Sequence, residues 1–348
     1  MKAIKLFGKE DLRLVETPIP GISDEQILLK VEAAGICGTD IKNWKHGRAG
    51  VDEQHPLTLG HEVAGRIAKV GKKVPFYQEG MRVTIAPNMG CAICDQCVSG
   101  NTHNCAELKA FGINMDGAFA EYMAVPAEAI AQGNIMVLPE GVSPVEAAVN
   151  EPLSCAYDGF LKCRVQPGDY AVIIGAGAIG LLHAMLLHMA GAAKIILNDI
   201  SRQRLEDAMK VLPGVLTYCG DDLRGYVMSE TNGRGADVAI TANPVPQCQR
   251  DVLELMNFNG RVNYFGLVPA EMEPVAINTN LIHSKSLIVT GNSRSSVSEF
   301  RKTMEFVASG LLPVRRVVTD EYAIEDGLKA FENARQARGL KHVITFSD

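Results

Sequence analysis

Three residue types that zinc accepts as ligands lie close together in the sequence. They are Cys37, in the stretch Cys-Gly-Thr-Asp, and the adjacent pair His61 and Glu62. A thiolate, an imidazole and a carboxylate can share one zinc ion, and three protein ligands leave a fourth position open to water or a substrate. Taken singly, the cysteine could be a small buried hydrophobe and the other two ordinary polar residues. Together they predict a catalytic metal.

Four cysteines form a second cluster with a different spacing. Four thiolates in so short a run can surround one tetrahedral ion and leave no open position, which is typical of structural zinc. An iron–sulfur cluster and a chance grouping of free thiols are the competing interpretations. Because the N-terminus shows no export signal, a metal is favoured over disulfides and we expect a cytoplasmic protein. The residues are Cys91, Cys94, Cys97 and Cys105.

A glycine-rich turn follows an apolar strand and precedes an apolar stretch with helical spacing. In that context the glycines allow a tight turn, and backbone N–H groups at the helix start can approach a pyrophosphate. Asp199 ends the next predicted strand, where its carboxylate can bind the adenosine ribose and would repel a 2′-phosphate. This predicts a preference for NAD over NADP. Arg202 and Arg204 follow closely and weaken that prediction, because an arginine near this position can accommodate a 2′-phosphate. The expected cofactor-binding residues of the turn are Gly175, Gly177, Ile179 and Gly180.

The elements that must position these residues are of two kinds. Residues 1–35 alternate as strands do, and from 170 to 290 about six buried-strand candidates alternate with helical stretches, which predicts a doubly wound parallel sheet. A helix is expected to begin at Ser143, whose hydroxyl and Glu146 can form a capping box. The tail predicts amphipathic helices at 297–309 and 322–335 and a last strand at 341–346. The segment from Lys42 to Arg48 is expected to be a basic loop.

The composition excludes several function classes. The chain has 348 residues, of which 47% are hydrophobic and 21% charged, as in folded proteins of about two domains. Its net charge of −6 argues against binding nucleic acid or an anionic membrane, and favours small-molecule partners. Residues 170–193 lack Asp, Glu, Lys and Arg, but their glycines and strand-then-helix pattern fit a buried strand and helix better than a membrane span.

The pattern from Gly60 to Val74, Gly-His-Glu-x2-Gly-x5-Gly-x2-Val, resembles the zinc-binding stretch of the medium-chain, zinc-dependent alcohol and polyol dehydrogenases. The cysteine spacing and the pair Glu151-Pro152 also resemble this family, and the resemblance covers essentially the whole chain. It implies a Rossmann doubly wound NAD-binding domain at 151–289, inserted into a β-rich GroES-like catalytic domain at 1–150 plus 290–348. The structural zinc lobe would span 88–108. A homo-oligomer, either a dimer or a tetramer, is also implied.

The resemblance further implies roles for individual residues. Cys37, His61 and Glu62 would hold the catalytic zinc, with Glu151 beside it as a direct ligand or through water. Thr39 would relay a proton toward solvent, and Asp40 would orient His61. The expected reaction is NAD-dependent hydride transfer from a secondary alcohol of a polyol or sugar alcohol. The structural zinc would be the second metal of each chain.

One residue departs from the family pattern. Related polyol dehydrogenases place a histidine two residues after the aspartate of the Cys-Gly-Ser/Thr-Asp stretch, where this chain has Lys42. This lysine motivates a sugar-alcohol phosphate as the alternative substrate, as in galactitol-1-phosphate dehydrogenase, together with Lys45, His46, Arg48 and Arg294. L-threonine is a further alternative, and a catalytically silent nucleotide-binding protein is the alternative from another class. The candidate substrate residues are Lys42, His46, Phe119 and Arg294.

Overall fold

The chain folds into two compact units, which are described one at a time. The computed structural model describes residues 1–347. The first unit comprises Met1–Ser154 and the segment that starts at Ser295, and the second unit is Cys155–Arg294.

The first unit is built mainly of short strands. Its strands are β1 Lys2–Gly8, β2 Asp11–Glu16, β3 Ile27–Gly35, β4 Leu57–Thr58, β5 Glu62–Val70, β6 Arg82–Ile85, β7 Asn88–Met89, β8 Lys109–Ala110, β9 Tyr122–Val125 and β10 Ile135–Val137. Its helices in this part are α1 Gly38–His46, α2 Asp95–Val98 and α3 Ala127–Ala131, followed by α4 Pro144–Lys162, which continues past Ser154.

The second unit contains the alternating elements. They are β11 Tyr170–Ile174, α5 Ala178–Met189, β12 Lys194–Asn198, α6 Arg202–Val211, β13 Leu216–Tyr218, α7 Leu223–Glu230, β14 Ala236–Thr241, α8 Pro246–Asp251, β15 Met256–Tyr264, α9 Thr279–Lys285 and β16 Ile288–Gly291. The tail of the first unit adds α10 Val297–Ala308, β17 Val318–Ala323, α11 Gly327–Arg335 and β18 Lys341–Thr345.

The larger sheet of the first unit joins the tail of the chain to its beginning. Its strand order is β10-β6-β5-β3-β18-β17, with β9 also paired to β3. In β3 the apolar side chains of Leu29, Val31 and Ala33 alternate toward the buried face, which is the period of a half-buried antiparallel strand. The register places Gly35 opposite both Glu62 of β5 and Val343 of β18. Three chain segments distant in sequence therefore meet at the end of β3.

The sheet of the second unit is parallel, with strand order β13-β12-β11-β14-β15-β16. This is the 3-2-1-4-5-6 order of the doubly wound dinucleotide fold. Its central strand, β11, is almost wholly buried, because helices cover both faces of such a sheet and an apolar run is then required. The predicted Rossmann sheet is confirmed. Within residues 1–347, no helix has the length and apolar character needed to cross a membrane.

Two predicted elements were wrong in part. The basic segment from Lys42 is not a loop up to His46, because it forms the second half of α1. The helix expected at 322–335 begins only at Gly327. Before it, β17 continues to Ala323, since Tyr322 pairs with Ile344 of β18 and the strand pairing outweighs the helical spacing of the side chains.

Candidate active site

Cys37, His61 and Glu62 come together in the first unit and are called the ligand group. One ligand atom from each lies within 4.8 Å of the other two. Cys37 is the residue that precedes α1 just after β3 ends, and Glu62 is the first residue of β5. Because β3 ends where the antiparallel strand β5 begins, the three side chains lie at the same end of this strand pair. His61 is 7% exposed and Glu62 is fully buried.

Asp40 links the two segments that carry the ligand group. Its Oδ2 accepts a hydrogen bond from the backbone N–H of Cys37 at 2.9 Å, and its Oδ1 accepts one from Gly60 at 3.2 Å. Oδ1 also lies 3.7 Å from Nδ1 of His61, which is too long for a hydrogen bond. Asp40 therefore orders His61 through the backbone N–H of Gly60 and through charge, rather than through a direct hydrogen bond to the imidazole ring.

The electrostatics of this cluster are those of a buried site with many charges. Burial raises the pKa of Asp40, although the adjacent His61 partly opposes this. Burial alone would lower the pKa of His61, but the negative charges of Asp40 and Cys37 outweigh it and raise that pKa well above its ordinary value. The site is thus strongly anionic around His61, which suits a cation.

Glu151 lies beside the ligand group without belonging to it. It sits on α4 before Pro152, is 7% exposed, and is close enough to raise the pKa of both His61 and Lys341. The capping box predicted for the start of α4 is confirmed, because Ser143 Oγ accepts from the Glu146 N–H at 3.2 Å while the Ser143 N–H donates to Glu146 at 3.0 Å. This cap fixes the helix that presents Glu151.

Lys341 is a member of the cluster that sequence reasoning missed. Its Nζ lies 2.5 Å from the Glu62 carboxylate and donates to the carbonyl oxygen of Ile36 at 2.9 Å. Burial would lower the pKa of Lys341, but the charge of Glu62, followed by that of Cys37, raises it. The only sequence signal was a lysine at the start of an apolar strand, and nothing there indicates a partner 279 residues away.

The residues of the ligand group fit a metal ion. Nδ1 of His61 is buried without a hydrogen-bond partner among residues 1–347, a costly arrangement unless the ring is held by another ligand. The donor set of one thiolate, one imidazole and one carboxylate is the type used by catalytic zinc.

The four cysteines also form one site, called the cysteine lobe. Its sulfur atoms are 3.5 Å apart for Cys94 and Cys97, 3.8 Å for Cys94 and Cys105, and 3.9 Å for Cys91 and Cys97. A tetrahedral zinc with Zn–S bonds of about 2.3 Å requires sulfurs about 3.8 Å apart. The spacing therefore fits a single ion. It argues against an iron–sulfur cluster, in which thiolates bind different irons and stand farther apart.

The pKa values of Cys91 and Cys97 are shifted in opposite directions. Hydrogen bonds from the backbone N–H groups of Ile93 and Cys94 lower the pKa of Cys91 to about 6, whereas burial raises that of Cys97 to about 12. A bound cation is needed to hold all four as thiolates.

In the second unit, the glycine-rich turn joins β11 to α5. Gly175 has φ of +115°, and a Cβ on Gly180 would lie 1.9 Å from the carbonyl oxygen of Gly175, so both positions require glycine. Gly177 precedes the first turn of α5, whose free N–H groups can face a pyrophosphate, and Ile179 lies in that turn. The turn has the form that the dinucleotide motif requires.

Asp199 follows β12 and is tied to the same turn. Its Oδ2 accepts from the Ala176 N–H and its Oδ1 from the Ser201 N–H, both at 2.9 Å. Ser201 also caps α6, accepting from the Arg204 N–H at 3.3 Å. The Arg204 guanidinium lies 4.0 Å from where a Cβ on Gly177 would be, so it reaches the turn, whereas Arg202 is exposed.

The candidate substrate residues have different surroundings. Lys42 and His46 are exposed on α1, Thr39 is exposed at its start, and Arg294 is exposed with φ of +66°. Phe119 is fully buried, with its ring centre 5.2 Å from that of Phe331 in an edge-to-face contact. Its placement favours a core role over contact with a substrate.

Comparisons with known families and proteins agree with this architecture. The family described as "Alcohol dehydrogenase GroES-like domain" matches residues 23–136, and "Zinc-binding dehydrogenase" matches residues 178–309. Sorbitol dehydrogenase of Bacillus subtilis is 31% identical over 97% of this chain and 94% of its own length. L-threonine 3-dehydrogenase of Bacillus licheniformis is 32% identical over 99% of this chain and 98% of its own length. The solved structure of a zinc-binding dehydrogenase of Sinorhizobium meliloti 1021, bound to NADP, is 29% identical in sequence and superposes with a TM-score of 0.88. The match covers 99% of this chain and 98% of that one.

Proposed function

The chain belongs to the zinc-dependent medium-chain alcohol and polyol dehydrogenases, which use a nicotinamide cofactor, and on that premise we propose that it oxidises a secondary alcohol of a polyol or sugar alcohol with NAD. The observation that carries the proposal is the ligand group, in which Cys37, His61 and Glu62 lie within 4.8 Å of one another. The group joins one thiolate, one imidazole and one carboxylate, and three ligands leave one position for an alcohol.

Different residues of the first unit would have different roles in the reaction. Cys37, His61 and Glu62 would hold the metal, and Glu151 would bind it directly or through a water. Bound zinc supplies Lewis acidity that lowers the pKa of an alcohol, and NAD supplies the hydride acceptor. Asp40 would keep the ligand segments together, since it binds the N–H groups of Cys37 and Gly60. Thr39, exposed two residues after Cys37, would pass the alcohol proton toward solvent.

We further infer two zinc ions in each chain, because the cysteine lobe has the sulfur spacing of a closed tetrahedral site. Metal analysis of the purified protein is expected to give two zinc ions per chain in wild type and one in Cys37→Ser. A wild-type value of one would remove one of the two sites from the proposal.

NAD is proposed as the preferred cofactor because Asp199 ends β12 beside the glycine-rich turn and would repel a 2′-phosphate. Arg204, which reaches the same turn, is the residue that could favour NADP instead. The ratio of kcat/KM for NAD and NADP tests this. We expect a preference for NAD in wild type that Asp199→Ala reduces through loss of NAD affinity, and a wild-type preference for NADP would contradict the assignment.

A homo-oligomer is proposed as the assembly. β16 is the last strand of the parallel sheet, and Ile288 at its start is exposed to solvent. An edge strand with apolar side chains is a surface that a second chain can cover. Sedimentation velocity is expected to give a dimer or a tetramer, and a monomer at micromolar concentration would contradict it.

The substrate is tested by the initial rate of NADH formation by the zinc-loaded protein on three compounds. They are a free hexitol, its 1-phosphate and L-threonine. A preference for the hexitol is expected. The second candidate, a sugar-alcohol phosphate, rests on the exposed cation Lys42 and the exposed His46 of α1, and predicts a preference for the phosphate that Lys42→Ala removes. No rate with any of the three would favour a catalytically silent nucleotide-binding protein.

A further inference from the structure

We propose that Lys341 is a positioning residue that competes with the catalytic metal for the carboxylate of Glu62. The inference rests on the proposed metal-binding role of the ligand group. It assigns to Lys341 a function in metal affinity, although the residue lies 279 positions from Glu62 and cannot itself be a zinc ligand while protonated.

The backbone is built to hold this pair. Gly35 is opposite Glu62 in the pairing of β3 with β5, and a Cβ at Gly35 would stand 2.0 Å from Oε2 of Glu62. The missing side chain therefore creates the space that the carboxylate fills. β18 lies on the other side of β3, and Lys341 at its start reaches back to the carbonyl oxygen of Ile36 and to Glu62. The lysine is thus held by a fixed backbone acceptor as well as by charge.

The pair is shielded from water. Glu62 is fully buried and Lys341 is 5% exposed. A buried ion pair of this kind adds little to folding stability, because the attraction only offsets the loss of hydration of the two charges. Removal of one partner, however, leaves an uncompensated buried charge, which is strongly destabilising. In the metal-free protein, Lys341 is therefore the cation that lies against the Glu62 carboxylate, close to Cys37 and Glu151.

A zinc ion bound by Cys37 and His61 brings a second, larger positive charge to the same carboxylate. Lys341 then has two opposing effects. It holds the Glu62 carboxylate in place before the metal arrives, and after the metal binds it repels the ion and shares the carboxylate with it. The repulsion acts within a buried site, where screening is weak, so we expect it to dominate. Lys341 thereby makes Glu62 a weaker ligand than an isolated glutamate would be.

The test is the zinc dissociation constant of the ligand group, measured by competition with a chromophoric chelator. Cys37→Ser provides the signal of the cysteine lobe alone, which is subtracted. Lys341→Met is expected to bind zinc at least about tenfold more tightly than wild type, because a fixed cation next to the ion has been removed. In a Glu62→Gln background the sharing of the carboxylate is absent and only the direct repulsion between Lys341 and the ion remains, so the same substitution should tighten binding less than it does in wild type.

The matched control is Arg261→Met in the second unit. Arg261 is also the cation of a shielded ion pair, with Asp169, in which the side chains are 16% and 10% exposed. Its loss should lower stability and leave zinc affinity unchanged. Cobalt(II) substitution gives a second readout: the visible absorption bands of the ligand-group ion should change in Lys341→Met and not in Arg261→Met.

Unchanged or weaker zinc binding by Lys341→Met would overturn the inference. If Lys341→Met fails to fold, Lys341→Gln is the second variant, since its amide keeps a donor near Ile36 and Glu62 and removes the charge. Failure of the proposed function is distinguishable, because wild type would then bind no more zinc than Cys37→Ser.

Discussion

The ligand group and the cysteine lobe differ in how their parts are distributed along the chain. The lobe is contained between Cys91 and Cys105, and its four sulfurs meet through local turns and the short helix α2. The ligand group needs the ends of β3 and β5, the cap of α1, and Lys341 from the last strand. A local site is a property of a segment, whereas the ligand group is a property of the folded unit.

The two sites also differ in charge and in what completes them. The lobe offers four donors of one chemical type and can close around one ion. The ligand group offers three different donors, and carboxylate, lysine and histidine charges surround it. We therefore expect changes in the lobe to act on stability and changes in the ligand group to act on turnover.

The largest expected effect is on turnover, from His61→Ala. Loss of a metal ligand should lower kcat/KM by about a thousandfold or more, because the Lewis acid is lost or misplaced. NAD affinity, measured by calorimetry, should remain near that of wild type, since the glycine-rich turn lies in the other unit. His55→Ala, at an exposed position, is the control. Substantial turnover by metal-stripped His61→Ala would refute the zinc mechanism.

Asp40→Asn separates positioning from ligation. The substitution retains an acceptor oxygen for Cys37 or Gly60 but removes the charge that faces His61 at 3.7 Å. Substitutions of residues that hold a metal ligand in place typically cost about 10- to 100-fold in metal affinity or activity. Zinc affinity and kcat/KM should fall together. An unchanged zinc affinity with reduced stability would show that Asp40 only supports the backbone.

Sequence reasoning was most successful where the chemistry is local. The cysteine spacing and the glycine-rich turn specify their geometry within a few residues, and the structure forms both. The part that Lys341 plays could not be predicted, because it depends on β18 pairing with β3 across the whole chain. Long-range strand pairing leaves no signature in the spacing of either strand.

The errors in the element predictions have the same origin. Residues 322–335 carry helical spacing, but pairing of Tyr322 with Ile344 keeps the first part extended. The basic segment from Lys42 was expected to be a loop because it is charged, whereas it continues α1 to His46 after a first turn in which Asp40 accepts from the Cys37 N–H. The placement of Phe119 in the core also depends on its neighbour Phe331, more than two hundred positions later in the sequence.

Cys94→Ser tests the other side of the comparison. Loss of one thiolate from the closed site should lower Tm by about 5 °C or more, because structural zinc contributes directly to folding. At a temperature where the variant is folded, zinc at the ligand group and kcat should change by less than about twofold. Cys219→Ser, outside both sites, is the control. A selective loss of kcat without a loss of Tm would contradict the assignment of the lobe.

The smallest effect concerns the acid sensitivity of the second unit, which must be separated from metal release at low pH. His183 on α5 is fully buried, neither ring nitrogen has a hydrogen-bond partner within residues 1–347, and burial lowers its pKa to about 3. The unfolded chain takes up this proton near the ordinary value of 6.5, but the folded chain does not. His183 therefore favours unfolding progressively as the pH falls from 6.5 toward 3, by about 2 kcal/mol at pH 5.

His183→Leu should remove this contribution. Between pH 7 and pH 5, measured in the presence of EDTA so that both metal sites are stripped, the variant should lose less stability toward urea than wild type. His46→Leu, which replaces an exposed histidine of α1 in the first unit, is the control and should lose as much stability as wild type. Equal acid sensitivity of His183→Leu and wild type would mean that the folded protein accommodates the protonated ring, and that metal-site carboxylates and thiolates account for the pH dependence.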